Sequence, residues 1–157
     1  MPTITTFLTF NDQAEEAAKL YTSIFDGKIV STSRRPPGAP GKEGSVLTVT
    51  FEILGQTFVG LNGGPDFTFT QGFSILVNCD TQAEIDRYWA KLTAEGGKEV
   101  ACGWLTDKFG VSWQITPKVL LTMIGDKDAA KAGRAMQAMM TMKKLEIAPL
   151  QRAFEGA

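Results

Sequence analysis

The chain of 157 residues contains no histidine. Histidine is the side chain that most often acts as a general base near neutral pH and as a transition-metal ligand. Its absence excludes Ser-His-Asp and Cys-His catalysis within the chain. A zinc site would need cysteines, and Cys79 and Cys102 alone do not form a zinc pattern. Any bound metal would therefore depend on oxygen ligands from Asp, Glu, Gln or the backbone.

Other features are also scarce. Two cysteines are too few for a disulfide framework, which favours a reducing, cytoplasmic setting. No window reaches about 18 uninterrupted apolar residues, so we expect no membrane span. The start, MPTITTFLTF, lacks the charged region and cleavage site of a signal peptide. With 16 Lys and Arg against 17 Asp and Glu, neither a general nucleic-acid binder nor a basic membrane-surface protein is expected.

The first half of the chain begins with a strand pattern and a helix pattern. Residues 3–10, TITTFLTF, alternate between polar and apolar side chains, which predicts a strand. Asp12 and Glu15 then form a capping-box-like helix start, and Gly27 ends the helix. Three further strand patterns follow, at 27–34, 45–54 and 56–63.

The second half repeats this order. Residues 73–79, FSILVNC, predict a strand, and Thr81 and Glu84 form a capping box at the start of the next helix. Gly96, which ends that helix, corresponds to Gly27 at an offset of 69 residues (96 − 27). Two further strand patterns follow, at 98–105 and 110–116.

These patterns predict a single domain over residues 1–157 that is built from three parts. Residues 3–63 form a first module and residues 70–117 a second, each a strand, a helix and two or three more strands. Residues 118–157 fit neither module and predict a helical C-terminal extension. Its methionines lie on one apolar side, which favours core packing or a contact within a dimer.

The order of elements and the hairpin motif resemble a known group. The chain is similar to the vicinal oxygen chelate superfamily of glyoxalase I, bleomycin-resistance proteins and extradiol dioxygenases. Within it, the chain resembles the glyoxalase-like family labelled 3-demethylubiquinone-9 3-methyltransferase, most specifically in the hairpin CGWLTDKFGVSWQ. The matching stretches are 7–25, 61–97, 102–117 and 139–154.

The resemblance implies an α+β fold of two βαβββ modules. Each module would curl a mixed sheet into a half-barrel with its helix outside, and the two modules would enclose a cleft. Members of the superfamily are usually dimers, so the resemblance also implies that the chain's protein partner is a second copy of itself.

The resemblance also implies positions for a metal. In metal-using relatives, His, Glu or Gln ligands lie on the first and last strands of each module. These positions fall here on Thr5, Ser74 and Gln114, and on either Gly60 or Val59. Neutral oxygens without a carboxylate are poor ligands for a divalent ion, so we expect no metal and no cofactor.

Period-two alternation indicates which side chains line the concave faces. Phe7 shares a face with Thr5, whereas Trp113 points away from the face of Gln114. Trp104 either stacks on a ligand or caps the barrel, and Asn62 is either a turn residue or a ligand contact. The predicted ligand-binding residues are Thr5, Phe7, Asn62, Ser74, Trp104 and Gln114.

Two side chains are candidates for catalysis. Glu52 shares a face with Thr48 and Thr50 and is either a solvated residue at a strand end or a general base. Cys102 is either a buried structural thiol or a nucleophile, although no histidine is present to activate it.

Three classes of function remain open. The chain is a metal-free binding protein for a small, partly aromatic molecule, an enzyme, or a structural or regulatory homodimer. An enzyme would be a lyase or isomerase, or would carry out the methyl transfer of the family label. Methyl transfer from S-adenosylmethionine normally uses a glycine-rich loop between a strand and a helix. The nearest stretch, residues 60–65, precedes an extended pattern, and we therefore favour the binding protein.

Overall fold

The chain forms two units in this computed structural model, which describes residues 1–157. The first unit is Met1–Thr68 and the second is Phe69–Ala157. Each contains one four-stranded mixed sheet with a helix on one face, which confirms the α+β class and the βαβββ order. That residues 1–157 act as a single domain stays a prediction.

The first unit is a βαβββ module. Its strand order is β1-β4-β3-β2, in which β1 and β4 are parallel and the other neighbours antiparallel. The two edge strands, β1 and β2, do not pair with each other, so the sheet is open. The elements are β1 (Thr6–Phe10), α1 (Ala14–Ile24), β2 (Lys28–Arg34), β3 (Val46–Ile53) and β4 (Gln56–Asn62).

Alternation along these strands places one side-chain set against α1. From the helix, Tyr21 is fully buried and packs against Phe51 with ring centroids 6.0 Å apart. Gly60 lies against the helix, because a Cβ there would be 3.1 Å from the Cβ of Ala14. The other buried apolar residues of this core include Leu8, Phe10, Ala17, Ala18, Ile24, Val49, Ile53 and Phe58.

The start of α1 differs from the prediction. The residue before the helix is Gln13, and no side chain caps it in the way expected of Asp12. Instead, Oδ1 of Asn62 on β4 accepts a hydrogen bond from the Ala14 amide at 2.9 Å, and Nδ2 donates to the Val46 carbonyl at 3.1 Å. A partner 48 residues away therefore satisfies an amide that local capping leaves unpaired.

The second unit repeats the module. Its strand order is β5-β8-β7-β6, again with the first and last strands of the module parallel. The predicted capping box is confirmed, since Thr81 Oγ1 accepts from the Glu84 amide and Glu84 Oε1 from the Thr81 amide. The elements are β5 (Ile75–Cys79), α2 (Gln82–Thr93), a 3-10 turn (Ala94–Gly96), β6 (Lys98–Glu99), β7 (Trp104–Thr106) and β8 (Ser112–Pro117).

One predicted strand is broken. The pattern at 98–105 predicts a continuous strand, whereas the structure has β6 and β7 separated by a corner at residues 100–103. Cys102 and Gly103 have φ angles of 60° and 85°, in the left-handed region that an extended strand cannot contain. The corner divides the predicted strand into β6 and β7, and the second sheet therefore has four strands.

The C-terminal extension is helical, as expected. Its helices are α3 (Lys118–Ile124), α4 (Ala129–Met140) and α5 (Ile147–Glu155), around a core that includes Leu120, Met123 and Leu150. Met139 and Met142 pack against this core, whereas Met136 and Met140 are exposed. The methionine stripe is therefore only partly used for packing. None of the helices combines the length and apolarity needed to cross a membrane.

Substituting Asn62 tests the anchor of α1. Asn62→Ala leaves the Ala14 amide without a partner in a buried position, so we expect a loss of about 2 kcal/mol in the free energy of unfolding. Asn78→Ala is the matched control, because Asn78 is exposed on β5. Urea unfolding measures both variants, and an equal effect of the two would contradict the anchoring role.

Candidate functional site

Three side chains form a row across the second sheet. Gln114 on the central strand β8 pairs with Trp104 on β7 and with Leu76 on β5. Cross-strand partners point to the same side of a sheet, so all three lie on the face opposite α2. All are partly exposed. We call Leu76, Trp104 and Gln114, together with Ser74, the Trp104 face.

Ser74 joins this row through the Gln114 side chain. The carboxamide Nε2 of Gln114 donates a hydrogen bond to Ser74 Oγ at 2.9 Å. That bond fixes the orientation of the carboxamide and leaves Oε1 without a protein donor. Of the six predicted ligand-binding residues, the structure thus brings three together: Ser74, Trp104 and Gln114.

The hairpin between β7 and β8 depends on one buried acid. Asp107 is only 2% exposed, and its Oδ1 accepts from the amides of Phe109 (2.9 Å) and Val111 (3.0 Å). Its Oδ2 accepts from Trp113 Nε1 at 2.9 Å. Trp113 is fully buried on the α2 side of the sheet, as predicted.

The role of Asp107 is not evident from the sequence pattern, which indicates only a hairpin there. An aspartate that precedes a Gly-containing turn, with a tryptophan six residues later, was the available signal. Because Asp107 holds the turn and the Trp113 indole at once, it fixes the register of β7 against β8. That register sets Trp104 beside Gln114.

The first sheet carries the other predicted contacts. Phe7 on β1 pairs with Val59 on β4, which pairs with Thr50 on β3. Phe7 is 55% exposed, and Thr5, just before β1, is also exposed. Val59, and not Gly60, is thus the residue of the last strand, β4, that lies on this face and corresponds to the metal-ligand position of the relatives. We call Thr5, Phe7, Thr50 and Val59 the Phe7 face.

Asn62 is not part of the Phe7 face. It alternates with Leu61 and points to α1, where its carboxamide is engaged by Ala14 and Val46. Only 7% of it is exposed. The structure therefore gives Asn62 an internal role and does not bring it near the exposed side of the sheet.

Glu52 lies on the alternation set of Thr48 and Thr50, as expected. Its Oε2 is 3.4 Å from Lys28 Nζ, and both side chains are well exposed. With Leu54 and three neighbouring residues, Glu52 and Lys28 line a shallow depression of about 200 Å³ beside the β3–β4 turn. A carboxylate that is exposed and already paired with a lysine fits a solvated strand end better than a general base.

The two cysteines differ in environment. Cys79 on β5 is buried, and desolvation raises the pKa of its thiol to about 12, with smaller contributions from Glu84 and Asp80. Cys102 lies at the corner before β7 and is partly exposed. No side chain that could serve as a base is bonded to Cys102; its amide donates to the Met142 carbonyl.

The predicted metal positions do not fit a divalent ion. In the first unit they are Thr5 and Val59, which together offer one hydroxyl. In the second unit they are Ser74 and Gln114, which are hydrogen-bonded to each other. Nowhere in the chain do three or more Cys, Asp or Glu residues come together in a group that could hold a metal. These donors lack the charge that a divalent cation requires.

Residues 2–116 match a family model described as 3-demethylubiquinone-9 3-methyltransferase. The PhnB protein of Bacillus cereus, which carries the same description, is 43% identical, with a TM-score of 0.67 over 74% of this chain and 99% of that chain. Protein PA1353 of Pseudomonas aeruginosa is 22% identical, with a TM-score of 0.63 over 74% and 98%. The fosfomycin resistance protein FosX of Mesorhizobium loti is 16% identical, with a TM-score of 0.55 over 73% and 90%. No curated protein matches the chain.

Substituting Asp107 tests its role in the hairpin. Asp107→Asn places an NH2 group against a donor, either the Trp113 indole or a backbone amide, and we expect a loss of about 2 kcal/mol in the free energy of unfolding. Asp66→Asn makes the same change at an exposed position. If urea unfolding showed the two variants to be equally stable, Asp107 would not hold the hairpin.

Thiol labelling tests the two cysteines. A thiol whose pKa is raised from 9.0 to about 12 stays protonated at pH 8, so iodoacetamide should modify Cys102 and spare Cys79 in the native protein. Between pH 9.0 and about 12 the unfolded thiol is ionised while the buried one stays protonated, so the free energy of unfolding should fall as the pH rises through this range. Cys102→Ser should abolish native labelling but leave one reactive thiol in urea. Rapid native labelling at Cys79 would contradict its burial.

Proposed function

We propose that this chain, which belongs to the 3-demethylubiquinone-9 3-methyltransferase family of the glyoxalase-like vicinal oxygen chelate proteins, binds a small, partly aromatic organic molecule on its Trp104 face. The observation that carries the proposal is the row of Trp104, Gln114 and Leu76 across three strands. An indole, a carboxamide and an aliphatic side chain side by side match the apolar lining with few polar groups that is typical of small-molecule sites.

Trp104, Gln114 and Ser74 each have a distinct role in this proposal. The Trp104 indole offers a flat apolar surface on which an aromatic ring stacks. The Gln114 Oε1, which no protein group engages, accepts a hydrogen bond from a hydroxyl or amide of the ligand. Ser74 keeps the carboxamide oriented, so less rotational freedom is lost on binding.

Within the first unit taken by itself, we propose Thr5 and Phe7 as residues that can contact a small molecule. The support is the exposure of the Phe7 ring and the hydroxyl-bearing neighbours on its sheet face. Asn62 is left out of the assignment because its carboxamide is already engaged by α1 and β3.

We propose binding rather than catalysis. The chain after β4 has no helix until α2 begins at Gln82, so residues 60–65 do not form the strand-loop-helix that receives a nucleotide. Glu52 is paired with Lys28, and Cys102 has no neighbouring base. We therefore propose neither the methyl transfer of the family label nor a lyase or isomerase reaction.

We further propose that the protein is a homodimer that works in the cytoplasm. Exposed apolar residues of the extension support the dimer, namely Leu121, Met136 and Met140. Two free cysteines support a reducing compartment. Light scattering of the purified protein tests the dimer, and a monomeric mass would exclude it.

A panel of phenol, benzamide and a methoxy-substituted benzoquinone tests binding. Two-dimensional ¹H–¹⁵N NMR should show shifts at the Trp104 indole and the Gln114 carboxamide. Gln114→Ala should weaken binding of the best ligand about tenfold, which corresponds to one lost hydrogen bond. Gln56→Ala, an exposed glutamine on β4, should leave the affinity unchanged. Shifts scattered over the molecule, or none, would contradict the proposed site.

We also propose that this binding needs no metal ion, and removal of metal tests it. Untagged protein, dialysed against a chelator, should bind the same ligand with unchanged affinity, since no charged donor set supports a metal. The protein should be free of tags because a polyhistidine tag would supply the histidines that the chain lacks. A stoichiometric ion in elemental analysis, together with loss of binding after chelation, would overturn this part.

A further inference from the structure

The corner that precedes Trp104 adopts an unfavourable backbone conformation. Cys102 and Gly103 both have positive φ angles, and such a conformation costs free energy for a residue with a side chain. Trp104 follows directly as the first residue of β7, and its amide donates to the Ala101 carbonyl at 3.1 Å. The direction of the Trp104 side chain therefore depends on how this corner is held.

The C-terminal extension holds the corner. The Cys102 amide donates to the Met142 carbonyl and the Gly103 amide to the Lys143 carbonyl, each at 2.8 Å. The Leu145 side chain packs on the same spot, because a Cβ at Gly103 would lie 2.8 Å from its Cδ1. On the other side, the Gly103 carbonyl accepts from the Ile115 amide of β8 at 2.8 Å.

Gln82, the first residue of α2, in turn holds this part of the extension. Its Nε2 donates to the Leu145 carbonyl at 3.0 Å, and its Oε1 accepts from the Ile147 amide at 2.7 Å. An ion pair of Lys144 with Asp86, at 2.6 Å, lies beside it. One side chain thus binds the backbone on both sides of Glu146.

We propose that residues 142–147 are a positioning element for the Trp104 face, anchored by Gln82, and that they set the placement of the Trp104 indole for ligand binding. The proposal rests on the proposed function of that face. The family model ends at residue 116, so the element that orients this tryptophan lies outside the residues that the model matches, although the stretch 139–154 resembles the family in sequence. Gln82 touches no part of the Trp104 face and acts through the backbone of Cys102 and Gly103.

Gln82→Ala tests the proposal in the full-length protein. Loss of its two bonds to the extension should raise hydrogen exchange at the Cys102 and Gly103 amides about tenfold. Acrylamide quenching of tryptophan fluorescence gives a second readout. It reports mainly Trp104, because Trp89 and Trp113 are 4% and 0% exposed, and the quenching constant should change. Affinity for benzamide, or for whichever panel compound binds best, should fall several-fold.

Two further variants separate positioning from general stability. Gln82→Glu keeps an acceptor for Ile147 but turns a carboxylate oxygen toward the Leu145 carbonyl and the Asp86 carboxylate, so it should loosen the corner at least as much as Gln82→Ala. Arg134→Ala removes the hydrogen bonds of α4 to the carbonyls of Ala153 and Phe154, which loosens the extension far from the corner. It should leave both the corner exchange and the quenching constant unchanged.

Each outcome has a definite meaning. Equal acceleration of exchange by Gln82→Ala and Arg134→Ala, or no acceleration by Gln82→Ala, would overturn the proposal. A change in exchange and quenching without any binding of the panel compounds would leave the structural coupling standing and remove the proposed function. Unchanged affinity in Gln82→Ala, despite a loosened corner, would show that Trp104 placement does not control binding.

Discussion

The second sheet depends on the buried carboxyl group of Asp107. Its two oxygens accept three hydrogen bonds, from two turn amides and the Trp113 indole, and so satisfy donors that would otherwise be buried without partners. Because the register of β7 and β8 is fixed there, every later residue of β8 is committed to one face. Trp113 enters the core, and Gln114 must then point to the opposite side. The contacts of Asp107 at the tip of the hairpin thus determine which side chains of β8 are exposed in the middle of the sheet.

The first unit uses a polar side chain in a comparable way. Asn62 at the end of β4 reaches both the first amide of α1 and the carbonyl of Val46, so strand, helix and neighbouring strand meet at one carboxamide. In both modules, a buried polar group at a strand end ties the sheet together, and the exposed face is left free for other contacts. The two residues occupy unlike places in their modules, which explains why the internal repeat of the sequence does not reveal them.

Local patterns predicted the fold well, and contacts over long sequence distances limited the rest. The element order, the Thr81 capping box and the inward side of Trp113 follow from periodicity and spacing within a few residues. The placement of Asn62 does not, because its partner Ala14 is 48 residues away and an Asn before two glycines is typical of a turn. The break at Cys102 is equally non-local, since the carbonyls that stabilise it belong to the extension. Of the candidate site, the family resemblance implied that Ser74 and Gln114 lie on the same face, and only the register of the sheet added Trp104 to it.

The pair Asn62 and Gly63 has a further consequence for the chemical lifetime of the protein. Asn-Gly sequences deamidate when the glycine nitrogen attacks the asparagine side chain and closes a succinimide ring. Here the Gly63 amide donates to the Phe10 carbonyl at 2.8 Å, and the Asn62 carboxamide is held by Ala14 and Val46. Neither reacting group is free to approach the other while the strand is intact. The rate of deamidation at Asn62 is therefore set by how often the end of β4 opens locally. The same contacts that anchor α1 thus protect the backbone at this position from isomerisation.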